Sequence, residues 1–281
     1  MTPQPLRVLM SGLPGRMAAE AARRLAAEPE CFEILPVALT GPETDGSIWC
    51  SGSGLEITLF GPQRRQQLNL KIRPYLPCLA VDFSQGGAVI ENTAWFAAKG
   101  ISCVVGTTGG DRQRLEATVK QSAVSAVIAP NMAAPIVMLQ AAMEYLALSF
   151  PGALKGWRAA VRESHQQSKT DVSGTARAMI GPINRLGMKI TPEEIEMVRD
   201  PKRQRDELGV PEEHLGGHAY HTYTFTAPDN SVTLAFTHNV HGRAVYAEGA
   251  VLALRFLNRR VAEGRRGQVF SMIDVLKNIE D

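Results

Sequence analysis

The sequence predicts an α/β fold, with a Rossmann-like doubly wound parallel sheet followed by an α+β domain that contains a mixed sheet. Over residues 6–130, short apolar segments alternate with helical segments of about 10–14 residues, which is typical of a parallel sheet covered by helices on both faces. After residue 130 this alternation gives way to one long apolar helix and to segments with a two-residue period. The change of pattern indicates a second domain.

The first part is predicted to contain five strands, at residues 6–10, 32–40, 80–84, 101–105 and 123–129. Helices are predicted at residues 16–28, 87–100 and 111–122. Right-handed crossovers between parallel strands would place these helices on both faces of the sheet. Residues 41–65 are rich in Gly, Ser and Pro, so we expect a loop there.

The second part mixes both kinds of element. Helices are predicted at residues 135–150, 176–186 and 249–261, a strand at 157–163, and an antiparallel hairpin at 220–225 and 232–240 around Pro228-Asp229-Asn230. Thr191-Pro192-Glu193-Glu194 has the form of a helix start, yet residues 195–199 fit a strand equally well. We expect the helix at 249–261 to rejoin the first sheet.

Composition excludes several classes of protein. The chain of 281 residues carries 30 Lys and Arg against 28 Asp and Glu, a net charge of +2, so it has no basic excess for binding nucleic acid. Its longest apolar stretch, residues 133–150, is interrupted by Pro135, Gln140 and Glu144, so no membrane contact is expected. The N-terminus lacks the features of a targeting segment. We therefore expect a soluble, cytoplasmic protein.

No metal site is expected. The 4 cysteines form no C-x-x-C pair, which excludes a zinc knuckle. His218 and His221 are an odd number of residues apart, as are His238 and His241, so the two members of each pair face opposite sides of a sheet. His221 and His238 are expected to share the apolar face of the hairpin as partly buried, hydrogen-bonded histidines.

Gly12 and Gly15 lie between the first predicted strand and the first predicted helix. Glycines at this point permit a tight turn, and the helix N-terminus offers free N–H groups to a pyrophosphate. Ala18 stands where a third glycine would complete the dinucleotide-binding pattern. The alternative is an ordinary glycine-containing turn that binds no ligand.

The end of the second strand favours NADPH over NADH. NAD-binding folds place an acidic residue there to accept hydrogen bonds from the ribose hydroxyls, but this strand ends Ala38-Leu39-Thr40-Gly41. Arg16 could supply a cation for the 2′-phosphate and Thr40 a hydroxyl. Alternatively, Arg16 is only a solvated surface residue.

The segment from Glu163 to Ala176 holds the densest group of reactive side chains. His165 and Lys169 can each donate a proton. Ser173-Gly174-Thr175 precedes the helix at 176–186, where backbone N–H groups stabilise an anion. A small carboxylate substrate would fit this segment, although a solvated loop before a capped helix would have the same residue types.

The same segment resembles the substrate loop of dihydrodipicolinate reductases. The matching residues read H-x-x-x-K-x-D-x-S-G-T-A from His165 to Ala176. Further matching segments follow the order of that family: Gly12-x-x-Gly15-Arg16-Met17, Asp82-Phe83-Ser84, Gly106-Thr107-Thr108-Gly109, Ala129-Pro130-Asn131-Met132, Gly242-Arg243 and Glu248-Gly249-Ala250. The resemblance covers nearly the whole chain.

Four departures separate this chain from the usual bacterial members. Gln166 replaces the second of two adjacent histidines, the loop before Ser173 is one residue shorter and lacks a proline, residues 133–135 read Ala-Ala-Pro, and the ribose acid is missing. The short loop and the segments 210–215 and 217–221 resemble the plant-type branch instead.

The resemblance implies hydride transfer from NADPH, with NADH possible, to a cyclic imine dicarboxylate derived from 4-hydroxy-tetrahydrodipicolinate, on the route to diaminopimelate and lysine. It implies that Lys169 donates a proton with help from His165. Substrate contacts are implied for Gln166, Ser173, Gly174, Thr175 and Arg243. Cofactor contacts are implied for Gly12, Gly15, Arg16, Met17, Thr40, Phe83, Gly106, Thr107, Thr108, Ala129, Asn131 and Met132.

It also implies a division of labour. Residues 1–130 and 241–281 would form the dinucleotide-binding domain, and residues 131–240 the substrate-binding and oligomerisation domain. A homo-oligomer built through the second sheet would be a tetramer, as in bacteria, or a dimer, as in the plant-type branch. Two alternatives remain open: another two-domain NAD(P) dehydrogenase acting on an amino acid, and a nucleotide-binding relic without turnover.

Overall fold

A computed structural model of the chain describes residues 4–52 and 54–279. The described residues form two compact units. The first unit contains residues up to Ala134 together with those from Ala244 onward, and the second contains Pro135–Arg243. The first unit is therefore discontinuous in sequence.

A parallel sheet forms the centre of the first unit. Its strands are β1 (Leu6–Ser11), β2 (Phe32–Leu39), β3 (Ile48–Cys50), β4 (Glu56–Phe60), β5 (Leu79–Asp82), β6 (Cys103–Val105), β7 (Ala126–Ile128) and, after the second unit, β12 (Val269–Phe270). They lie in the order β12-β7-β6-β5-β1-β2-β4-β3. All neighbouring pairs are parallel except β3 and β4. The predicted Rossmann-like class is confirmed.

The helices of the first unit are α1 (Arg16–Ala26), α2 (Arg65–Ile72), α3 (Val89–Ala98), α4 (Arg112–Lys120), α8 (Ala244–Ala262) and α9 (Met272–Leu276). In α1, Ala18, Ala22 and Leu25 form one fully buried face, as a 3.6-residue period requires. The C-terminal segment returns to this sheet: α8 packs against α1, and β12 pairs with β7.

The prediction that residues 41–65 form a loop is wrong where the chain forms two strands. The segment contains β3 and β4, and β4 pairs in parallel with β2. The signal was local, because Ile57 and Leu59 are buried while Glu56 is exposed, which is the period of a strand. The flanking Gly, Ser and Pro residues dominate the composition of the segment and hide this short alternation.

A mixed sheet forms the second unit, as predicted. Its strands are β8 (Arg158–His165), β9 (Glu196–Val198), β10 (His218–Thr226) and β11 (Thr233–His241), in the order β11-β10-β8-β9. Only the β8–β9 pair is parallel. The helices are α5 (Ala134–Ser149), α6 (Gly174–Arg185) and α7 (Pro201–Asp206). Buried side chains of α5 and α6, such as Met143 and Met179, pack with Val161 and Tyr223 on one face of the sheet.

The alternatives after Thr191 resolve in favour of a strand. A single 3-10 turn, Pro192–Glu194, is capped reciprocally by Thr191 and Glu194, and β9 follows it. The helix start was therefore real but one turn long, because pairing of β9 with β8 satisfies the next backbone groups.

Among the described residues, no helix is long and apolar enough to cross a bilayer.

The packing of α8 gives a test of the first unit. A Cβ at Gly249 would lie 1.8 Å from the carbonyl oxygen of Met132. Because overpacking of this kind costs about 1–3 kcal/mol, we expect Gly249→Ala to lower the free energy of unfolding by that amount in urea denaturation. Glu248→Ala is the control, since it removes only a partly exposed ion pair with Arg24 and should cost less than about 1 kcal/mol. Equal effects of the two changes would contradict the close contact.

Candidate functional site

The turn between β1 and α1 leaves no room for a side chain at either of its glycines, Gly12 and Gly15. Gly12 has a φ of +102°, and a Cβ there would lie 2.4 Å from the carbonyl oxygen of Phe83. A Cβ at Gly15 would lie 2.7 Å from the oxygen of Gly12. Helix α1 then begins at Arg16 with no side-chain cap and no acid in its first turn, which includes Met17. The turn and helix start therefore form a suitable cradle for a phosphate.

A buried carboxylate connects the loops at the carboxyl edge of the sheet. Asp82, at the end of β5, is fully buried and accepts hydrogen bonds from the hydroxyls of Ser11 at 2.9 Å and Thr107 at 2.6 Å. It also accepts from the backbone N–H of Ser84 and the side-chain amide of Asn92. The segments after β1, β5 and β6 are thus fixed to one group. Ligands of doubly wound folds bind at this edge.

The nicotinamide-side candidates pack on one another. The ring of Phe83 occupies the space beside Gly106, where an added Cβ would lie 2.2 Å from Cε1, and the methyl group of Met132 is 3.0 Å from the same point. The side chain of Asn131 accepts a hydrogen bond from a backbone N–H two residues later. The two remaining candidates are Thr108, which is exposed after β6, and Ala129, which is buried after β7.

The end of β2 differs in detail from the expectation. The Thr40 hydroxyl donates to the carbonyl oxygen of Leu13 at 2.5 Å, so the hydroxyl bond between Thr40 and Thr44 must be donated by Thr44. Thr40 therefore has no hydrogen left to donate to a 2′-phosphate. Arg16 is exposed and remains the cation on this side. The acidic Glu43 is exposed in the 3-10 turn beyond β2.

In the second unit, the reactive segment lies between β8 and α6. Strand β8 ends at His165, and the chain turns so that the N–H of Lys169 donates to the carbonyl of Gln166 at 3.0 Å. The Lys169 ammonium donates to the carboxylate of Asp171 at 2.7 Å. Residues 166–173, which we term the 166–173 loop, are half exposed, with Val172 and Ser173 as their buried end.

Ser173 is the N-cap residue of α6 and lies directly before its first residue, Gly174. The Ser173 hydroxyl accepts from the N–H of Ala176 at 3.1 Å and bonds to Nε2 of His221 at 2.8 Å. Its side chain is therefore engaged within the protein. Gly174 faces open space, since nothing lies within 4 Å of an added Cβ, and the half-buried Thr175 follows it in the first turn. The first N–H groups of a helix lack intrahelical partners, so this terminus suits a carboxylate.

Glu163 is the buried charge beneath this terminus. Its side chain has no exposed surface. It accepts the N–H of Ser173 at 3.0 Å and the guanidinium of Arg199 at 2.5 Å, and Nε2 of His221 lies 3.6 Å from it. Burial pushes the pKa of Glu163 upward, but the nearby His221 and the hydrogen bonds from Ser173 and Arg199 outweigh burial and hold the pKa well below its usual range.

His165 is neutral at ordinary pH. Burial, reinforced by the neighbouring His221, lowers the pKa of His165 to about 3. Its Nε2 lies 3.9 Å from Glu163, too far for a hydrogen bond, and has no other partner within the described ranges. His165 and Lys169 were each expected to be able to donate a proton, with Lys169 as the donor and His165 assisting it. The structure instead leaves Lys169 as the cation and His165 as an uncharged ring.

The other histidines alternate between the two faces of the sheet, as predicted. His221 pairs with His238 across β10 and β11, and their rings stack with centroids 4.6 Å apart. His218 faces the opposite side, where the hydroxyl of Ser164 lies 2.7 Å from its Nε2. The expectation that His221 and His238 would be fully hydrogen-bonded is wrong. Nδ1 of His221 and both ring nitrogens of His238 are buried without a partner in the described structure, whereas Nε2 of His221 bonds to Ser173.

Glu163, His165 and His221 place one potential metal ligand each within 4.8 Å of one another. A divalent cation there would share Glu163 with the Arg199 guanidinium and the Ser173 N–H. Like-charge repulsion and this competition disfavour a metal. The nearby cations and the helix N-terminus favour an anion.

Arg243 completes the candidate set. It follows β11 by two residues, at the end of the sheet where β8 terminates. Its guanidinium lies 3.5 Å from an added Cβ at Gly217, and the N–H of Gly242 donates to the carbonyl of Gly217. The strand pairing therefore brings Arg243 to the same edge as His165.

Sequence reasoning missed the residues that hold this site together. Glu163 was recognised only as part of the reactive segment, and Arg199 and the buried Gln204 were not recognised at all. Gln204 donates to the carbonyl of His165 at 2.7 Å. A helix cap could be read from Asp200 and Pro201, which follow Arg199. The pairing of β9 with β8, which brings Arg199 to the site, has no local signal in the sequence.

Comparison with known families decides the relationship. The N-terminal dihydrodipicolinate reductase family profile matches residues 6–132, and the C-terminal profile of the same enzyme matches residues 135–276. The chain belongs to the dihydrodipicolinate reductase family. The resemblance noted from the sequence is thereby confirmed.

Relatives place the chain near the plant-type branch of the family. It is 39% identical over 273 residues to 4-hydroxy-tetrahydrodipicolinate reductase 2, chloroplastic, of Arabidopsis thaliana, covering 97% of this chain and 77% of that protein. The expected cytoplasmic location stays a prediction, since that relative is named as chloroplastic.

Solved structures share the fold. Dipicolinate-bound dihydrodipicolinate reductase from Paenisporosarcina sp. TG-14 superposes with a TM-score of 0.62 at 18% identity, over 95% of this chain and 97% of that one. The C. glutamicum DAP dehydrogenase in complex with DAP gives 0.54 at 10% identity, over 99% and 97%. At these identities the likeness shows the fold alone, so the second match does not favour an amino-acid dehydrogenase.

The lowered pKa values of two histidines, His165 and His238, predict how the free energy of unfolding depends on pH. Burial lowers the pKa of His165 to about 3 and of His238 to about 4, from an ordinary 6.5. Between pH 6.5 and 4 the unfolded chain binds protons at these rings and the folded chain does not. The free energy of unfolding should therefore fall as pH falls through this window, by at most about 1.4 kcal/mol per pH unit for each ring.

Urea denaturation at a series of pH values measures this slope. His238→Gln should reduce it, because the variant has one fewer ring to protonate on unfolding. An unchanged slope in His238→Gln would mean that His238 titrates normally in the folded protein.

Proposed function

We propose that this chain reduces 4-hydroxy-tetrahydrodipicolinate to tetrahydrodipicolinate with NADPH, on the route to diaminopimelate and lysine. The observation that supports this most directly is the 166–173 loop. It presents Lys169 next to the N-terminus of α6, in a chain whose family membership covers both units. A dicarboxylate needs paired donors and cations when it leaves water, and this segment supplies them.

The first unit binds the cofactor in this proposal. The N–H groups that follow Gly12 and Gly15 receive the pyrophosphate, and the loops fixed by Asp82 receive the nicotinamide side. The bound cofactor supplies a hydride. Phe83 and Met132, packed beside Gly106, shape an apolar wall where that ring would lie.

The second unit binds the substrate. Loss of water from the hydroxylated substrate gives a conjugated imine, and hydride attack on it leaves an enamine that needs one proton. Lys169 donates that proton and recovers it from solvent. One substrate carboxylate binds the backbone at Gly174 and Thr175 and the hydroxyl of Thr175.

His165 assists as a neutral ring rather than as an acid. An uncharged imidazole can donate one hydrogen bond and accept another, so it can orient the substrate without competing with Lys169 for the proton. Gln166 and Arg243 contact the second carboxylate in this proposal. Ser173 acts by capping α6, since its hydroxyl is engaged by Ala176 and His221.

The homo-oligomer is also a proposal. Helices α5 and α6 pack on one face of the mixed sheet. The opposite face carries polar residues of β8, β10 and β11, including Arg162, Thr222 and Asn239. A second copy of the chain could pair there.

The main catalytic test is Lys169→Ala. Loss of the proton donor should reduce kcat/KM by at least about 10²-fold, because general acid catalysis contributes roughly 10²–10⁴-fold. NADPH affinity should be unchanged, since Lys169 lies outside the first unit. Steady-state kinetics would measure this, with the unstable substrate generated from pyruvate and aspartate semialdehyde.

Two further variants serve as comparisons. His165→Ala should cause a smaller loss of kcat/KM, and Thr175→Ala should raise KM more than it lowers kcat, because it removes one carboxylate contact. Near-normal turnover in Lys169→Ala would refute its role as the donor. Loss of NADPH binding in that variant would instead assign the loop to the cofactor.

Cofactor preference is tested separately. We expect kcat/KM to be higher with NADPH than with NADH, because no acid ends β2 and Arg16 is exposed beside the turn. Arg16→Ala should weaken NADPH more than NADH, by the roughly 1.5–3 kcal/mol of one charge-assisted contact at most. A higher kcat/KM with NADH in the unaltered enzyme would overturn this assignment.

A further inference from the structure

The 166–173 loop has few contacts of its own. Gln167, Ser168, Thr170 and Asp171 are exposed, and Val172 is its only buried apolar side chain. A segment with so little burial opens easily unless other groups fix it. The position of the proton donor on this loop therefore depends on polar contacts from elsewhere in the second unit.

Arg199 supplies those contacts. It follows β9 directly, and its Nε donates to the carbonyl oxygen of Lys169 at 2.8 Å. Its Nη2 donates to the carbonyl oxygen of Asp171 at 3.2 Å and to the carboxylate of Glu163 at 2.5 Å. One planar guanidinium thus binds the loop backbone at two points, the carbonyl oxygens of Lys169 and Asp171. A lysine keeps the charge but cannot reproduce this fork.

Glu163 fixes the other end of the loop. Its carboxylate accepts the backbone N–H of Ser173 at 3.0 and 3.3 Å, which sets where α6 begins. The same carboxylate neutralises Arg199. A buried charge that loses its partner is strongly destabilising, so the two groups hold each other in place.

We infer that Arg199 and Glu163 are a positioning pair with separate effects on the proposed reaction, in which Arg199 places Lys169 for proton transfer and Glu163 places the α6 N-terminus for carboxylate binding. This inference rests on the proposed function. It assigns no chemical step to either residue.

The two roles predict different kinetic signatures. Arg199→Lys should lower kcat by about 10–100-fold, because misplacement of a reacting group by about 1 Å has this cost, with little change in the affinity for dipicolinate. Glu163→Gln should raise KM and the Kd for dipicolinate about tenfold or more, a loss of about 1.4 kcal/mol. NADPH affinity should stay unchanged in both.

Matched controls come from the neighbouring helix. Arg203 forms ion pairs with Glu207 and Glu196 among partly exposed side chains. Arg203→Lys and Glu207→Gln make the same chemical changes away from the loop, and both should leave kcat, KM and dipicolinate affinity unaltered.

Chemical rescue separates positioning from general stability. Millimolar guanidinium should restore part of kcat in Arg199→Ala, while the same concentration of sodium chloride should not, and Arg203→Ala should show no response. If Arg199→Ala does not fold, the Arg199→Lys kinetics decide the matter alone.

The outcomes distinguish this inference from the proposed function. If the unaltered protein binds dipicolinate but has no reductase activity, the proposed function fails, and the kinetic role of Arg199 fails with it. If the protein is active but Arg199→Lys and Glu163→Gln behave like their controls, the positioning pair is refuted. A fall in kcat together with a rise in KM, of similar size in both variants, would also refute the separate roles.

Discussion

The arrangement of the candidate site in the second unit depends on one buried carboxylate. Glu163 has no exposed side-chain surface and yet stays ionised, because Arg199 and Ser173 donate hydrogen bonds to it and Nε2 of His221 lies 3.6 Å away. An ionised carboxylate in such a place costs several kcal/mol unless it is fully paired. Each partner is therefore held tightly, and each belongs to a different segment of the chain. The end of β8, the start of α6, the residue after β9 and the middle of β10 meet at this point.

The first unit uses the same device. Asp82 is also fully buried at the end of a strand, and hydrogen bonds from Ser11, Ser84 and Thr107 bring three loops to it. In both units a rigid sheet edge supports loops that have little burial of their own, which is how functional loops are commonly fixed. The difference is that a cation joins Glu163, whereas the hydroxyl, backbone and amide groups that donate to Asp82 are neutral. An anionic ligand is favoured beside Glu163 by the N-terminus of α6, whose first N–H groups lack intrahelical partners.

Burial also distinguishes His165, at the end of β8, from Lys169 in the loop that follows it. The ring of His165 lies inside the protein, and its pKa falls to about 3, whereas the ammonium of Lys169 is partly exposed and pairs with Asp171 at 2.7 Å. A neutral ring and a cation four residues apart can perform different tasks, the one orienting and the other giving a proton. Residue types alone could not make this distinction, because both side chains are able to donate protons.

The sequence by itself determined the fold class and the family, and it identified the segments to which we assign the proposed chemistry. Alternating apolar segments predicted the parallel sheet, glycines at 12 and 15 marked the turn into α1, and the pattern from His165 to Ala176 identified the loop. These signals are local, since strand period, helix caps and glycine turns depend on neighbouring residues. Local signals that were short and flanked by Gly and Ser, as in β4, were overlooked.

Only the tertiary structure decided which distant residues meet. The parallel pairing of β9 with β8 brought Arg199 to Glu163, 36 residues away, and the antiparallel pairing of β10 with β8 brought His221 opposite Glu163. Register is set by the packing of whole faces, so no local pattern around Arg199 could reveal its partner. The charge state of His165 followed from the same packing, because a pKa depends on burial and on neighbours that the sequence leaves far apart.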